Sequence, residues 1–482
     1  MGNLIAGVDC STQATKVLVV DGETGRTVAE GRAAHTVTGE RGARETDPRD
    51  WWQALRAALD QTGRAAEVAA IAVGGQQHGL VVLGTDGEPL RPSMLWNDTR
   101  SAPQAAALID AFGADRLADN VGSRPVASFT ATKWAWVRQH EPAVAEAMVA
   151  VRLPHDYLTE RLTGIGVTDR GDASGTCWWS TADEAYAGDI LSHPLVALDE
   201  GRLPKVLGPF DRAGEVTREA AAATGLRPGT LVGPGTGDNM GAAIGLGLRA
   251  GQATISLGTS GTAFAVSERR TRDASGMVAG FADATGRFLP LAATLNCTLA
   301  VDRVAELFGL DRDDVAPSDE VVVLPWFDGE RTPNVPNAAG TITGVRHGTR
   351  PQQILMAAYE GAIASLLDAV DAISEQIGGL DPAAPLVVVG GGSRGRTWID
   401  VVRRLSGRAV LVPEAQELVA IGAAVQAAAV HEGVDPATIT ERWGAGAGRL
   451  LEPVTRDDDR LERIASLRRA VVETPALAGT LR

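Results

Sequence analysis

Two short polar turns carry residues suited to holding phosphate groups. Asp9-Cys10-Ser11-Thr12 follows an apolar run near the N-terminus, and Gly258-Thr259-Ser260-Gly261 follows a second one in mid-chain. Backbone N–H groups in such turns form anion-binding concavities, and hydroxyl groups add donors to phosphate oxygens. One such turn alone is most often only a turn. Two at matching places in two halves indicate that one nucleotide is held between them.

Two carboxylates stand where a ligand can approach the backbone. Asp9 ends an apolar strand and suits Mg²⁺ held by a carboxylate and water, with a strand-end Asx turn as the alternative. Asp238 follows the glycine-rich bend 233–237 at a predicted strand-to-helix junction. We therefore predict Asp238 as a general base, with helix capping as the structural alternative.

Two further loops combine hydrogen-bonding groups with an aromatic ring. They are 75–79 (GQQHG) and 96–100 (WNDTR). Sugar hydroxyls need paired donors and acceptors, and an indole offers an apolar face to a carbon skeleton. The two loops therefore indicate a sugar site, although a lone His78 is more often structural.

The segment Gly390–Gly395 (GGGSRG) matches G-x-G-x-x-G after the apolar run Leu386–Val389, with Glu414 about 20 residues further on. On this local pattern an NAD-dependent oxidoreductase is one interpretation. The same glycines would equally let an adenine and a ribose lie against the backbone. A P-loop of the form G-x-x-x-x-G-K-[ST] is missing from the sequence.

The elements that must position these residues repeat along the chain. Apolar runs around the first turn predict an antiparallel meander, followed by a helix from Asp47-Pro48 and a buried strand. A strand, turn and strand recur around the second turn, before a long helix. We therefore predict an internal duplication with its divide near 245–251. The predicted elements are Leu4–Val8, Lys16–Asp21, Thr27–Ala34, Val68–Val73, Gly79–Leu83, Met240–Leu248, Gln252–Leu257, Thr262–Ser267, Arg350–Gly378, Leu386–Val389 and Ala409–Val412.

The composition excludes several classes of protein. The chain has 482 residues, of which 44% are hydrophobic and 22% charged, as in a globular protein of two or three domains. Its formal net charge of −15 disfavours binding to nucleic acid or to an anionic membrane. The three cysteines are far apart, which excludes a disulfide framework and fits a reducing compartment. The N-terminus does not match a signal peptide, so we expect a cytoplasmic protein.

Taken together, these segments resemble the FGGY carbohydrate kinases of the actin, hexokinase and Hsp70 ATPase superfamily, and within them the xylulokinase branch. Ser128–His140 and Gly340–Glu360 are similar to the two long signatures of the family. The shorter motifs that resemble it are GQQHG, WNDTR, LPHDYL, TGDN, SLGTSG, DGERTPN and GGGSR.

The resemblance implies an α/β fold of two RNase H-like domains, 1–247 and 248–482, with the active site in the cleft between them. It implies ATP and Mg²⁺ as cofactors and phosphorylation of D-xylulose to D-xylulose 5-phosphate. Expected partners are a small-molecule sugar and ATP, without nucleic acid or membrane. Homodimers are common among related sugar kinases.

The resemblance also implies roles for individual residues. Asp238 would be the catalytic base, and Asp9 and Asp238 would hold Mg²⁺. The nucleotide contacts would be Thr12, Gly258, Thr259, Ser260, Gly391, Gly392 and Ser393. The sugar contacts would be Gln77, His78, Asp98 and Asn239.

Three positions depart from the family pattern. Ser11 replaces a glycine of the first phosphate turn, Gln77 stands where many xylulokinases have Met, and Gly395 replaces a polar residue. Gln77 leaves open another substrate, such as ribulose, fuculose, rhamnulose, gluconate or a polyol. A non-catalytic sugar or nucleotide sensor is a further alternative, disfavoured by the presence of both Asp9 and Asp238.

Overall fold

The structure is a computed structural model and describes residues 4–474. The strands are β1 Leu4–Cys10, β2 Ala14–Asp21, β3 Thr27–Ala34, β4 Glu45–Thr46, β5 Val68–Gly75, β6 Val81–Leu83, β7 Ser93–Met94, β8 Ala150–Arg152, β9 Val167–Asp169, β10 Trp179–Ser180, β11 Ala185–Tyr186, β12 Lys205–Leu207, β13 Gly214–Glu215, β14 Leu231–Val232, β15 Thr236–Gly237, β16 Ala253–Leu257, β17 Gly261–Ala265, β18 Ala279–Ala282, β19 Phe288–Thr294, β20 Val322–Leu324, β21 Thr341–Thr343, β22 Leu386–Val389, β23 Val410–Pro413 and β24 Gly448–Leu451.

Helices cover these strands on both faces of the sheets. They are α1 Pro48–Thr62, α2 Ala102–Phe112, α3 Ala114–Val121, α4 Thr130–His140, α5 Pro142–Ala147, α6 Pro154–Thr163, α7 Arg170–Ser174, α8 Gly188–Ser192, α9 Arg218–Thr224, α10 Asp238–Gly245, α11 Thr298–Phe308, α12 Pro351–Ile377, α13 Arg396–Ser406, α14 Leu418–Glu432, α15 Pro436–Trp443 and α16 Asp458–Glu473.

Two seven-stranded sheets with the same central pattern form the frame. In the first, β1, β2 and β3 are an antiparallel meander and β5 lies parallel to β1. In the second, β16, β17 and β19 run antiparallel and β22 lies parallel to β16. The predicted duplication is therefore present, with a polar turn between the first two strands of each sheet.

Burial explains why these segments form strands. Every residue of β1 is buried, and β5 is buried throughout except for Ala69. Strands covered on both faces read as continuous apolar runs, which is how β1 and β5 appear in the sequence. Asp9 is the exception in β1, and it lies at the strand end, where the sheet meets the cleft.

Helix α12 forms the centre of the second half. It is long and apolar enough to cross a membrane by length and composition, yet 83% of its most apolar 18-residue window is buried inside the structure. Its apolar side chains pack against α11, α13 and the strands β17, β19 and β20. It is therefore a core helix of the second half, and it lies where the sequence predicted a long helix, 350–378.

Helix α14 connects the two halves. It follows β23 of the second sheet in sequence but packs against α10, β1 and β5 of the first half. A Cβ added at Gly422 would lie 1.9 Å from the carbonyl oxygen of Gly241, so only glycine permits this approach of two helix backbones. The predicted domain division between 1–247 and 248–482 separates the strands of the two sheets, and it stays a prediction because α14 crosses it.

Two segments differ from the sequence-based predictions. The strand expected at 79–83 begins at Val81 and pairs with β8 outside the main sheet, because the polar loop before it turns the chain away. Beyond the last predicted helix the chain adds α15, β24 and α16, and β24 extends the second sheet beside β23. Arg460 of α16 is buried and forms a salt bridge with buried Glu360 of α12, which anchors this C-terminal segment.

Candidate active site

Asp9 and Asp238 meet at one edge of the first sheet. Asp9 is opposite Gly74 of β5, and β15, which leads into Asp238, pairs with the last two residues of the same strand. Burial and the charge of Asp9 raise the pKa of the Asp238 carboxyl to about 7. A carboxylate with a pKa near neutrality is well suited to accept a proton at physiological pH.

The surroundings of Asp9 fit a divalent cation. Asp9 is 4% exposed, its oxygens lie 2.7 and 2.6 Å from the Ser11 hydroxyl, and burial raises its pKa. Within residues 4–474, no group of three or more His, Cys, Asp or Glu side chains could hold a metal by itself. Mg²⁺ commonly binds one or two carboxylates together with waters and substrate phosphates. The facing pair Asp9 and Asp238 matches that donor set.

A chain of hydrogen bonds joins Asp238, the predicted base, to the loop 75–79. This loop is predicted to bind the sugar and is called the sugar loop below. Asp238 Oδ1 accepts hydrogen bonds from Asn239 N at 2.8 Å and Asn239 Nδ2 at 3.0 Å. Asn239 Nδ2 also donates to Gln77 Oε1 at 2.8 Å. Gln77 is 4% exposed, and its Nε2 has no partner among the described residues. An orphaned buried donor beside the base is suited to a ligand oxygen.

His78 is held as a neutral hydrogen-bond acceptor. Its Nδ1 lies 2.8 Å from the carbonyl oxygen of Gly175, which can only accept, so the proton is assigned to Nδ1. Burial, together with the smaller effects of the charges on Lys133 and Arg331, lowers the pKa of His78 to about 3. Its ring packs on Phe129 and Phe281, with centroids 5.1 and 5.5 Å away. Nε2 is left to accept from a hydroxyl.

Asp98, a predicted sugar contact, forms hydrogen bonds with other residues of the protein. Its side chain is fully buried, and both oxygens accept hydrogen bonds from the Arg100 guanidinium. Arg44 N donates to Oδ2 at 2.9 Å and Arg100 N to Oδ1 at 3.0 Å. These hydrogen bonds order the loop 96–100, and the role of Asp98 as a sugar contact stays a prediction.

The two predicted phosphate turns keep exposed polar groups. Thr12 Oγ1 accepts a hydrogen bond from Trp96 Nε1 at 3.1 Å, which ties the first turn to the loop 96–100. In the second turn the side chains of Thr259 and Ser260 are exposed. The carbonyl oxygen of Gly258 is held by Thr298, whose N and Oγ1 lie 3.0 and 2.8 Å away.

The glycine run after β22 lies against the second phosphate turn. Gly390 has a φ of +85°, and a Cβ there would lie 2.8 Å from the carbonyl oxygen of Leu257, the last residue of β16. The next residues form a short 3-10 turn, Gly391–Arg394, in which Ser393 Oγ donates to Gly390 O at 2.8 Å. Gly391 has open space at its Cβ position.

A pocket of about 390 Å³ lies over this glycine run. That volume is within the range of small-molecule sites. It is lined by residues of both halves: Lys16, Gly390, Gly391, Ser393, Glu414 and Glu417. A nucleoside in it would lie beside the second phosphate turn.

Comparison with known proteins agrees with this geometry. The sequence matches the profile of the FGGY family of carbohydrate kinases twice, with its N-terminal domain over residues 4–245 and its C-terminal domain over residues 253–431. The chain belongs to the FGGY family of carbohydrate kinases. The predicted family and the two-domain actin/hexokinase-like fold are thereby confirmed.

Individual relatives of this FGGY kinase are similar over nearly the whole chain. It is 58% identical to the xylulose kinase of Streptomyces coelicolor and 57% identical to that of Streptomyces rubiginosus, each over 97% of this chain and 96% of the relative. The crystal structure of xylulose kinase from Bifidobacterium adolescentis has a TM-score of 0.85 at 37% identity, covering 97% of this chain and 99% of that one. The oxidoreductase interpretation of Gly390–Gly395 is not favoured.

The contacts of two lysines, Lys16 and Lys133, were not predicted from the sequence of this kinase. Lys16 Nζ lies 2.5 Å from Glu417 Oε2 and 3.7 Å from Asp9 Oδ2, so it links the first sheet to the start of α14. Lys133 is fully buried and donates to the carbonyl oxygens of His78, at 3.0 Å, and Ser128. The chain has only three lysines, and their rarity by itself assigns no role to them.

A buried charge cluster supports the loop that carries Asp238, the predicted base. His155 Nε2 lies 3.2 Å from Asp156, 3.5 Å from Asp169 and 3.4 Å from Asp172. Burial lowers the pKa of His155, but the three carboxylates outweigh it and raise the pKa to about 9. Asp169 Oδ2 also accepts a hydrogen bond from Thr236 Oγ1 at 2.8 Å, two residues before Asp238.

His155 gives a testable dependence of stability on pH. Its pKa of about 9 in the folded protein exceeds the ordinary value of 6.5, so its stabilising charge is complete below pH 6.5 and lost as pH rises through 9. His155→Asn should lower the free energy of unfolding by about 3 kcal/mol at pH 6 and by much less at pH 9.5. Urea unfolding at both pH values measures this. The exposed His347→Asn should change little at either, and an equal loss for His155→Asn at both would contradict the charged state.

Proposed function

We propose that this FGGY kinase transfers the γ-phosphate of ATP to the terminal hydroxyl of D-xylulose, giving D-xylulose 5-phosphate. The observation that carries the proposal is the near-full-length similarity to enzymes named xylulose kinase, at 58% and 57% identity. The hydrogen-bonded chain Asp238–Asn239–Gln77 supports it, because it ends in a donor free for a polyhydroxylated substrate.

Asp238 acts as the general base in this proposal. Its carboxylate accepts the proton of the sugar hydroxyl while the hydroxyl oxygen forms a bond to the γ-phosphorus, and the bond to the bridging oxygen of ADP breaks. Phosphoryl transfer has a loose transition state, so the protein contributes mainly by positioning groups and by stabilising charge. Asn239, which donates two hydrogen bonds to Asp238 Oδ1, fixes the orientation of the base.

The nucleotide lies across the cleft with its phosphates between the two polar turns. Thr12 contributes from the first turn and Gly258, Thr259 and Ser260 from the second, while Gly391, Gly392 and Ser393 contact the adenosine. Asp9 and Asp238 would hold Mg²⁺, and a cation there would supply positive charge to neutralise the phosphates. We also infer a cytoplasmic location, since all three cysteines are unpaired and buried.

Gln77 is the position that bears most directly on the choice of sugar, since its unpartnered amide stands where many xylulokinases have Met. The test is coupled ADP release with ATP and Mg²⁺ across D-xylulose, L-xylulose, D-ribulose, L-ribulose, gluconate and glycerol. The proposal expects the highest kcat/KM for D-xylulose. A higher kcat/KM for another sugar would leave the proposed reaction in place but change the assigned substrate. If none of the sugars supported ADP release, the kinase proposal would be contradicted.

Gln77→Met removes the free donor and retains the volume of the side chain. We expect the KM for the preferred sugar to rise about fivefold to tenfold, because one neutral hydrogen bond is worth about 1 kcal/mol. The KM for ATP should stay unchanged. Gln53→Met, at an exposed position of α1, is the matched control. An unchanged sugar KM for Gln77→Met would remove this side chain from the substrate contacts.

A further inference from the structure

Arg331 is a cation in the cleft without an anionic partner. It lies in the loop between β20 and β21, and its side chain is partly exposed. Across the described part of the chain, no residue forms a hydrogen bond or ion pair with its guanidinium. Most other arginines near the cleft are neutralised, as Arg100 is by Asp98 and Glu45. A partly buried guanidinium without a counterion is suited to an anionic ligand.

Glu330, the residue next to Arg331, uses its carboxylate oxygens to accept hydrogen bonds from other groups. Glu330 is 1% exposed and accepts backbone hydrogen bonds from Leu295 at 2.6 Å, Asn296 at 3.3 Å and Arg331 itself at 2.7 Å. It also accepts from Asn296 Nδ2 at 3.1 Å. Glu330 therefore holds the backbone of the loop and does not pair with the Arg331 side chain.

The backbone of Arg331 is fixed on both sides to the strand that supports the second phosphate turn. Glu330 binds the residues directly after β19, and Thr332 Oγ1 donates to Ala293 of β19 at 2.8 Å. The last residue of β19, Thr294, is the register partner of Gly261, which ends the turn. Arg331 and the phosphate turn therefore form one rigid wall of the cleft.

The opposite wall carries the sugar loop. The positive charge of Arg331 contributes to the lowered pKa of His78, so the two side chains lie close enough to interact electrostatically. Phe281 of β18, also from the second half, packs on the His78 ring with centroids 5.5 Å apart. Arg331 thus lies within electrostatic range of His78, on a loop that is fixed to the strand beside the second phosphate turn.

We propose that Arg331 binds the phosphoryl group during its transfer from nucleotide to sugar, and holds it afterwards as the phosphate of the product. This inference rests on the proposed function. The guanidinium donates hydrogen bonds to the non-bridging phosphoryl oxygens and stays protonated throughout. The bond changes and the proton transfer to Asp238 are those given above, and Arg331 stabilises the charge that develops on these oxygens.

The test separates binding of the phosphoryl group from binding of the sugar. Arg331→Met should lower kcat about 10²–10³-fold, the usual cost of removing one donor to developing charge. By calorimetry, its Kd for D-xylulose 5-phosphate should rise about 10-fold to 100-fold, while its Kd for D-xylulose stays within about threefold. Arg346→Met, at an exposed position of the same half, is the matched control.

Other outcomes overturn the inference. An equal loss of affinity for D-xylulose and its 5-phosphate would make Arg331 a sugar contact, and unchanged values for both would make it structural. If Arg331→Met does not fold, Arg331→Lys keeps the charge without the planar fork and should weaken only the binding of the 5-phosphate, by several-fold. Binding of inorganic phosphate, weakened by Arg331→Met, tests the site even if the wild type phosphorylates a different sugar.

Discussion

Asp238→Asn should abolish nearly all turnover and leave binding of sugar and ATP in place. The substitution keeps the shape of the side chain and its hydrogen bonds to Asn239, but an amide cannot accept the hydroxyl proton. Because general-base catalysis contributes about 10²–10⁴-fold, we expect kcat to fall by that factor. Coupled ADP release measures kcat, and calorimetry measures the two affinities.

Asp110→Asn is the control for this substitution, since Asp110 is an exposed residue of α2. It should leave kcat and both affinities unchanged. Turnover of Asp238→Asn within about tenfold of the wild type, a difference of about 1.4 kcal/mol in the barrier, would show that Asp238 is not the base.

Gly422→Ala should produce the largest loss of stability. The new methyl group would lie 1.9 Å from the carbonyl oxygen of Gly241, and both groups belong to helix backbones that cannot move independently. Overpacking usually costs about 1–3 kcal/mol and more where backbone must shift, so we expect at least about 3 kcal/mol. For domains of this size that is a fall of about 10 °C in Tm. Calorimetric unfolding measures it.

The same variant should lose activity for a geometric reason. Helix α10 begins at Asp238, so separating α10 from α14 displaces the base. Gly348→Ala is the matched control, because its Cβ would meet no atom within 4 Å. Equal Tm values for the Gly422→Ala and Gly348→Ala variants would contradict the close contact between the two helices.

The local architecture was predictable because it depends on neighbouring residues. Apolar runs interrupted by small polar turns indicated β1, β2, β16 and β17, and Pro48 after Asp47 indicated the start of α1, where Asp47 caps the helix through Arg49 N. Glycine-rich backbone before Asp238 indicated a carboxylate open to a ligand. Such patterns operate over a few residues, so one sequence is sufficient to read them.

Long-range pairing was not predictable in this way. Asp98 accepts a hydrogen bond from a backbone N–H 54 residues away, and Lys16 pairs with Glu417 across 401 residues. Packing of α14 on the first sheet requires several small residues to match across the chain. Nothing in the local sequence of these residues specifies the partner, so the roles of Asp98 and Lys16 became apparent only from the structure.

The central claim is phosphoryl transfer from ATP to the terminal hydroxyl of D-xylulose, with Asp238 as the base. The most direct measurement follows ATP labelled at the γ-phosphate into the product, with the ester position assigned by NMR, for the wild type and Asp238→Asn. The account predicts a single 5-phosphate ester formed in equal amount to ADP by the wild type and almost none by the variant. ADP formed without a labelled sugar, or an ester at another carbon, would contradict it.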